Sequence, residues 1–340
     1  MRQWSFTEML QQAVKKLLYQ ENLTLTESYH AAKELFITDN VALSAAFLSL
    51  LAAKGESVDE FLGIIQVAKE QQVPITVTQP ALDIVGTGGD GANTVNISTA
   101  AAILAASCGV KVIKHGNRAS TSACGSADVL EAFGINLYAD EAKIQSALAK
   151  HNIGFFFAQM FHPSFAHIKN TRKALGIPTC FNLMGPLLNP AQADYLIIGV
   201  ANKERLVLLA NVLAKMSIKK ALLVCGDGVD ELTTHAVTEC LEVMNGKIQE
   251  KVINPEELGF KKCQLNGLAG GDKNFNSRKI LDIFEGQQSP LADTVILNAA
   301  AAVELYGITN SLSLAIDLVR ESIAEGKALT TLAGLIQEQK

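Results

Sequence analysis

From Leu82 onward the chain alternates short apolar, β-branched runs with runs of helical spacing. That rhythm restricts the fold to a mainly parallel sheet with helices on both faces. The strand-like runs fall at 82–85, 110–114, 153–157, 195–200 and 220–225, with helical runs near 98–107, 126–133, 140–150 and 202–215. The tail from Thr294 is helical again. Before Leu82 no strand is expected. Phe6 to Leu18 has helical spacing, and Thr24-Leu25-Thr26-Glu27 makes a capping box behind Leu23 for a helix that runs to about Phe36. Asp39 or Asn40 starts a third helix that passes Leu51 and closes at Gly55, and Ser57 or Asp59 starts a fourth that fades at Gln72 before Pro74. Residues 161–190 break the alternation: His162-Pro163 opens a helix that stops at Gly176, and Asn182 to Pro190 is too rich in Pro, Gly and Asn for a strand. The expected class is α/β, a mostly parallel central sheet flanked by helices plus a smaller all-helical N-terminal domain. The helical domain would cover 1–78 and receive about 161–190; the α/β domain would cover 79–160 and 191–340.

Composition agrees with two domains, because 340 residues exceed one core of average size. Hydrophobic residues make up 49% and aromatics only 6%, so the core must be built from Ala, Leu, Val and Ile. The net charge of −5 argues against nucleic-acid binding driven by overall charge. Six cysteines, at 108, 124, 180, 225, 240 and 263, form no C-x-x-C and read as buried free thiols of a reducing, cytoplasmic compartment. The first residues hold no apolar signal-peptide core, and the uncharged run from Ala92 to Val110 is too polar at its start to cross a membrane. A cytoplasmic protein with no membrane contact is expected.

The chemistry concentrates where strands end. Leu82 to Val85 empties into Gly86-Thr87-Gly88-Gly89-Asp90-Gly91, whose glycines can turn backbone N–H groups onto a phosphate. Gly86, Gly88 and Gly91 match G-x-G-x-x-G, but Asn93, Thr94 and Asn96 delay the helix, and the next strand ends in Lys114 and His115 instead of an acidic residue. A dinucleotide is therefore disfavoured. Ser98 and Thr99 stand at a helix start, where a hydroxyl either caps the helix or meets a metal on a ligand's phosphates. Lys114-His115-Gly116-Asn117-Arg118 brings cations and donors to the second strand end, and Ser120, Thr121, Ser122 and Ser126 follow as a second anion-binding cluster. Asp230-Glu231, in a loop beyond another strand, suits Mg²⁺ held through one or two carboxylates and substrate phosphates. Arg172 offers a planar fork for a carboxylate ligand.

These motifs, over nearly the whole length, resemble the anthranilate phosphoribosyltransferase family. The matching runs are Gly86–Asp90, Asn96–Thr99, Lys114–Arg118, Gly125–Asp128, His162-Pro163 through Arg172-Lys173, Asn182–Pro190 and Asp230-Glu231. The resemblance implies that Gly86, Gly89, Asp90, Thr94, Asn96, Ile97, Ser98 and Thr99 bind 5-phosphoribosyl 1-pyrophosphate. It implies the same of Lys114, His115, Gly116, Asn117, Arg118, Ala119, Ser120, Thr121, Ser122 and Ser126. Gly86, Asn117 and Arg172 would meet anthranilate; Ser98 would touch one Mg²⁺, and Asp230 and Glu231 would hold the second of two per subunit. The chain departs from the family's pattern at Pro178 and Cys180 and in Leu232–Thr238. The implied reaction moves the phosphoribosyl group to the amine of anthranilate and releases pyrophosphate, the second step from chorismate to L-tryptophan. A homodimer through the helical domain is implied too. No catalytic residue is assigned, with His115 the candidate acceptor of the amine proton. The alternatives are a pyrimidine nucleoside phosphorylase and a non-catalytic nucleic-acid-binding relative of the same fold.

Overall fold

Residues 8–119 and 122–340 are described by the computed structural model of the chain. The Phe6 start expected for the first helix lies outside them. Helices α1 (Met9–Leu18), α2 (Leu25–Leu35), α3 (Val41–Lys54) and α4 (Val58–Glu70) come first, and their starts are chemically marked. Thr24 and Ser57 each close a capping box, with Glu27 and Glu60 three residues on. Glu60 does more than cap. It is fully buried, pairs with Lys54 Nζ at 2.9 Å and accepts the Leu23 amide at 2.8 Å, which ties α2's entry and α3's end to α4.

Next come β1 (Leu82–Gly86), α5 (Ile97–Ser107), β2 (Val112–Gly116), α6 (Ser126–Ala132), α7 (Glu141–His151), β3 (Ile153–Phe157) and α8 (Ala158–Phe161). Then follow α9 (Phe165–Leu175), α10 (Phe181–Met184), β4 (Tyr195–Gly199), α11 (Lys203–Ala214) and β5 (Lys220–Cys225). The chain closes with β6 (Thr238–Met244), β7 (Lys247–Ile253), α12 (Lys273–Phe284), α13 (Pro290–Tyr306), α14 (Leu312–Ala324) and α15 (Lys327–Glu338). Among the described residues the strands form one seven-stranded sheet in the order β3-β2-β1-β4-β5-β6-β7, in which β1 to β5 are parallel and β6 and β7 antiparallel. The α/β class with a mostly parallel sheet is therefore what the chain adopts.

Two compact units account for the chain: one runs up to Pro74 and resumes at Gln159–Pro190, the other comprises Ile75–Ala158 and Ala191–Lys340. In the first, α1 to α4 pack on one another, α9 packs against α3, and Phe36, Phe165 and Phe181 meet ring to ring at 5.5–5.9 Å. In the second, uncharged α5 is buried almost throughout, against α13 on one face of the sheet. Among the described residues no helix is long and apolar enough to cross a membrane.

Two features differ from expectation. The β6–β7 hairpin is absent from the strands expected above, although Asn245-Gly246, both left-handed (φ 51° and 73°), is a strong hairpin-turn signal. β2 runs Val112–Gly116 instead of 110–114, because Gly109 (φ 95°) turns the chain first; Lys114 consequently lies inside the strand instead of at its end, and His115 within it instead of beyond it.

Candidate active site

β1 and β4 are neighbours, while β2 and β5 continue to opposite flanks, so the strand order reverses between them. Ligands of open α/β sheets bind outside the carboxyl ends at such a reversal. Both strands end in glycine there, Gly86 opposite Gly199. A Cβ on Gly86 would overlap the Asp230 carboxylate, and one on Gly199 would overlap the Asp230 carbonyl. The two bare strand ends thus allow the loop after β5 to fold over them and deliver Asp230 and Glu231.

Beyond β1 the chain turns through left-handed angles at Gly88, Gly89 and Gly91 (φ 69°, 76° and 72°), which side chains rarely tolerate. The Gly88 amide donates to Asp230 Oδ2 at 2.6 Å. The Ser98 amide, in the first turn of α5, donates to Glu231 Oε1 at 3.0 Å. Each carboxylate therefore sits on an N–H that an anionic ligand would use, one in the glycine loop and one at a helix N-terminus.

The electrostatics call for a cation. Asp230 and Glu231 are each only 8% exposed. Burial, then the charge of Asp90, pushes the Asp230 carboxyl up to about 7. Burial, then Asp230, pushes Glu231 well above the usual carboxylate range, and Lys114 and the Ser98 amide offset this only in part. Asp90 Oδ1 accepts from the Ala92 amide at 3.0 Å, but its buried Oδ2 has no donor. Thr99 Oγ1, 1% exposed, has none either. An orphaned carboxylate oxygen beside two destabilised carboxylates is a hard, all-oxygen donor set, and it fits Mg²⁺. Among the described residues no three His, Cys, Asp or Glu side chains form a closed cage. Mg²⁺ needs none, since it keeps waters and takes substrate phosphates.

Lys114 is 2% exposed and donates from Nζ to the Ile84 carbonyl at 2.7 Å. Burial lowers its pKa, while Asp83 and Glu231 oppose that shift, so it is a counter-charge beneath the carboxylates. His115 is buried as well, its amide donating to Asp83 Oδ1 at 3.3 Å. Past Gly116 the loop is governed by Asp128, whose Oδ2 accepts from the Ala119 and Gly125 amides, each at 2.9 Å. Burial would raise the Asp128 carboxyl, but these amides and Arg118 outweigh it and hold it below its usual range. Arg118 is engaged by Asp128 at 3.1 Å and Glu131 at 2.9 Å. The Asn117 carbonyl accepts from the Ala127 amide and Ser126 Oγ, which ties it to the start of α6. Ser122 Oγ donates to the Cys124 carbonyl; Ser120 and Thr121 lie outside the described residues. Thr94 bridges to Ala269, and the Asn96 side chain reaches the Cys124 carbonyl at 3.0 Å.

Arg172 belongs to the other unit, on α9. Burial lowers its pKa; its guanidinium lies 5.4 Å from the Phe181 ring centre and donates weakly, at 3.4 Å, to Asn182 Oδ1. Among the described residues no carboxylate pairs with it. The buried Asp83 escapes a reading of the sequence alone, and Asp128, though within the Gly125–Asp128 run, is given no role there. Only Asp128 carries a signal there, as the acidic third residue of a helix that begins after Gly125.

The model of the "Glycosyl transferase family, a/b domain" matches residues 78–329. An anthranilate phosphoribosyltransferase from Chlamydia caviae is 41% identical, over 96% of this chain and 95% of its own length. The crystal structure of the anthranilate phosphoribosyltransferase from Thermus thermophilus is similar at TM-score 0.89 and 38% identity, covering 96% of this chain and 99% of that one. The Saccharomyces cerevisiae enzyme in complex with PRPP and Mg is similar at TM-score 0.89 and 26% identity, covering 97% and 99%. With 4-fluoroanthranilate bound it is similar at TM-score 0.87 and 25% identity, covering 98% of each chain.

Proposed function

The chain belongs to the anthranilate phosphoribosyltransferase family, and from that premise we propose how its own residues carry out the reaction. The substrates are anthranilate and 5-phosphoribosyl 1-pyrophosphate; the products are N-(5-phosphoribosyl)anthranilate and pyrophosphate, in tryptophan biosynthesis. The observation that carries the reading is the pair of buried carboxylates lying on the Gly88 and Ser98 amides, a phosphate cradle and a cation site in one place. Gly86, Gly89, Asp90, Thr94 and Asn96–Thr99 hold the donor from one strand end, and the 114–122 segment with Ser126 holds it from the next. Ser98 would meet one Mg²⁺, and Asp230 and Glu231 would hold a second. Bound there, Mg²⁺ would supply positive charge to the pyrophosphate oxygens and so make pyrophosphate a better leaving group.

The chain's part is positioning and charge stabilisation. The aromatic amine is neutral at physiological pH and attacks C1 without prior deprotonation. The N–C1 bond forms, the C1–O bond to pyrophosphate breaks, and the ammonium so formed then gives up its proton, for which His115 is the proposed acceptor. Alignment of nitrogen with C1 is worth roughly 7–11 kcal/mol. Arg172, a half-buried cation with no carboxylate partner among the described residues, suits the anthranilate carboxylate; Gly86 and Asn117 are its other proposed contacts.

We further propose a cytoplasmic homodimer joined through the helical unit. Leu18, Tyr19, Ile37 and Val41 of that unit are 55–79% exposed, which supports the reading. The test of the activity is a mixture of protein, anthranilate, donor and Mg²⁺. Anthranilate fluorescence should fall in step with pyrophosphate release. Phosphorolysis of a pyrimidine nucleoside in a parallel reaction, or a shifted DNA band, with fluorescence unchanged, would instead support one of the two rival functions.

A further inference from the structure

Asn96 occupies the N-cap position of α5, where an asparagine side chain ordinarily accepts an N–H from its own first turn. Here it makes no such bond. Its side chain is held elsewhere from both ends: Nδ2 donates to the Cys124 carbonyl at 3.0 Å, and Oδ1 accepts from Asn276 Nδ2 at 2.9 Å. Asn276 is itself fixed. It lies on α12, is 1% exposed, and its Oδ1 accepts from the Gly271 amide at 2.8 Å. A backbone N–H can only donate and a backbone carbonyl only accept, so both side-chain amides have one orientation that satisfies the chain. The segment before α12 is anchored to the same loop, since Val95 N donates to the Leu268 carbonyl at 3.0 Å and Gly270 N to the Asn93 carbonyl at 2.7 Å.

We infer that Asn276 is a positioning residue for the phosphoribosyl donor, acting through Asn96. It draws the Asn96 side chain away from the α5 N-terminus and toward Cys124. That keeps Asn96 off the Ser98 amide, which Glu231 Oε1 occupies here and a donor phosphate would take, and sets Asn96 where the donor meets it. Without the Asn276 carboxamide, Asn96 Oδ1 loses its donor and is released to cap its own helix, in competition with phosphate. The inference rests on the proposed role of Asn96 in donor binding.

The test is a double-mutant cycle on the full chain, with Kd for 5-phosphoribosyl 1-pyrophosphate in Mg²⁺ measured by calorimetry, KM for anthranilate by fluorescence, and Tm recorded for each variant. Asn276→Leu should weaken donor binding roughly tenfold, the worth of one well-placed bond in a buried chain, and leave the anthranilate KM unchanged. Asn276→Ala serves if the leucine variant does not fold. In the Asn96→Ala background the same substitution should no longer change donor affinity, though it still lowers Tm. Normal donor binding by Asn276→Leu, or equal loss in both backgrounds, overturns the inference while the role of Asn96 stands. Normal donor binding by Asn96→Ala removes that role and this inference together.

Discussion

At the scale of single residues, burial of charge is the recurring device. Arg172→Ala removes a cation that has little else to pair with. Loss of a charge-assisted bond costs about 1.5–3 kcal/mol, so anthranilate use should fall roughly 10- to 150-fold. The donor's KM should hardly move, and steady-state kinetics with each substrate varied in turn will separate the two. His162 makes a pH prediction in the helical unit. Stacked 5.4 Å from Phe165, it is held by burial at a pKa of about 4, against 6.5 ordinarily. As pH falls the unfolded chain takes up the proton first, so stability is full above pH 6.5 and drains as pH drops toward 4. Urea unfolding should therefore report about 2 kcal/mol less stability at roughly pH 5 than at about pH 7 from this residue. His162→Phe should remove that slope; an unchanged slope would assign it to other groups. Arg172 is legible in sequence as a residue that suits a carboxylate, but that no carboxylate among the described residues pairs with it is not, because pairing is a property of the packed state.

At the scale of elements, the strand ends and the loops they carry explain what can be read in advance. Glycines at Gly86–Gly91, a hydroxyl at the α5 start and carboxylates beyond β5 are local signals, and they point to the proposed site. The contacts among them are not local. Gly88 and Asp230 are 142 residues apart, Ser98 and Glu231 133, and only the β1–β4 reversal brings them together. Lys114 departs from its expected place because the strand register is offset by two residues, which moves it from a strand end into the core. The carboxylate–amide pairing has a measurable consequence. In the proposed site, with Mg²⁺ removed by EDTA, Asp230 and pyrophosphate would compete for the Gly88 amide and repel each other. Asp230→Asn should then bind pyrophosphate roughly tenfold more tightly than the parent in EDTA, yet gain less from added Mg²⁺. Calorimetric titrations with and without EDTA distinguish this from a passive surface loop, for which both affinities stay as they were.

At the scale of the whole molecule, the alternation of strand and helix makes the sheet readable, whereas the antiparallel β6–β7 extension escapes because charged residues interrupt its apolar pattern. The proposed dimer predicts a particle of twice 36.3 kDa by light scattering. Tyr19→Lys combined with Ile37→Glu should shift it to the monomer mass. Above all, the chain is read as a sheet whose central strand ends jointly hold a sugar that carries phosphate at one end and pyrophosphate at the other. A crystal structure with 5-phosphoribosyl 1-pyrophosphate and Mg²⁺ decides the matter. Pyrophosphate should lie against Gly88, Gly89 and the Ser98 amide, with Asp230 and Glu231 turned from those amides onto metal. Density for the sugar elsewhere, with both carboxylates still on the Gly88 and Ser98 amides, would contradict it.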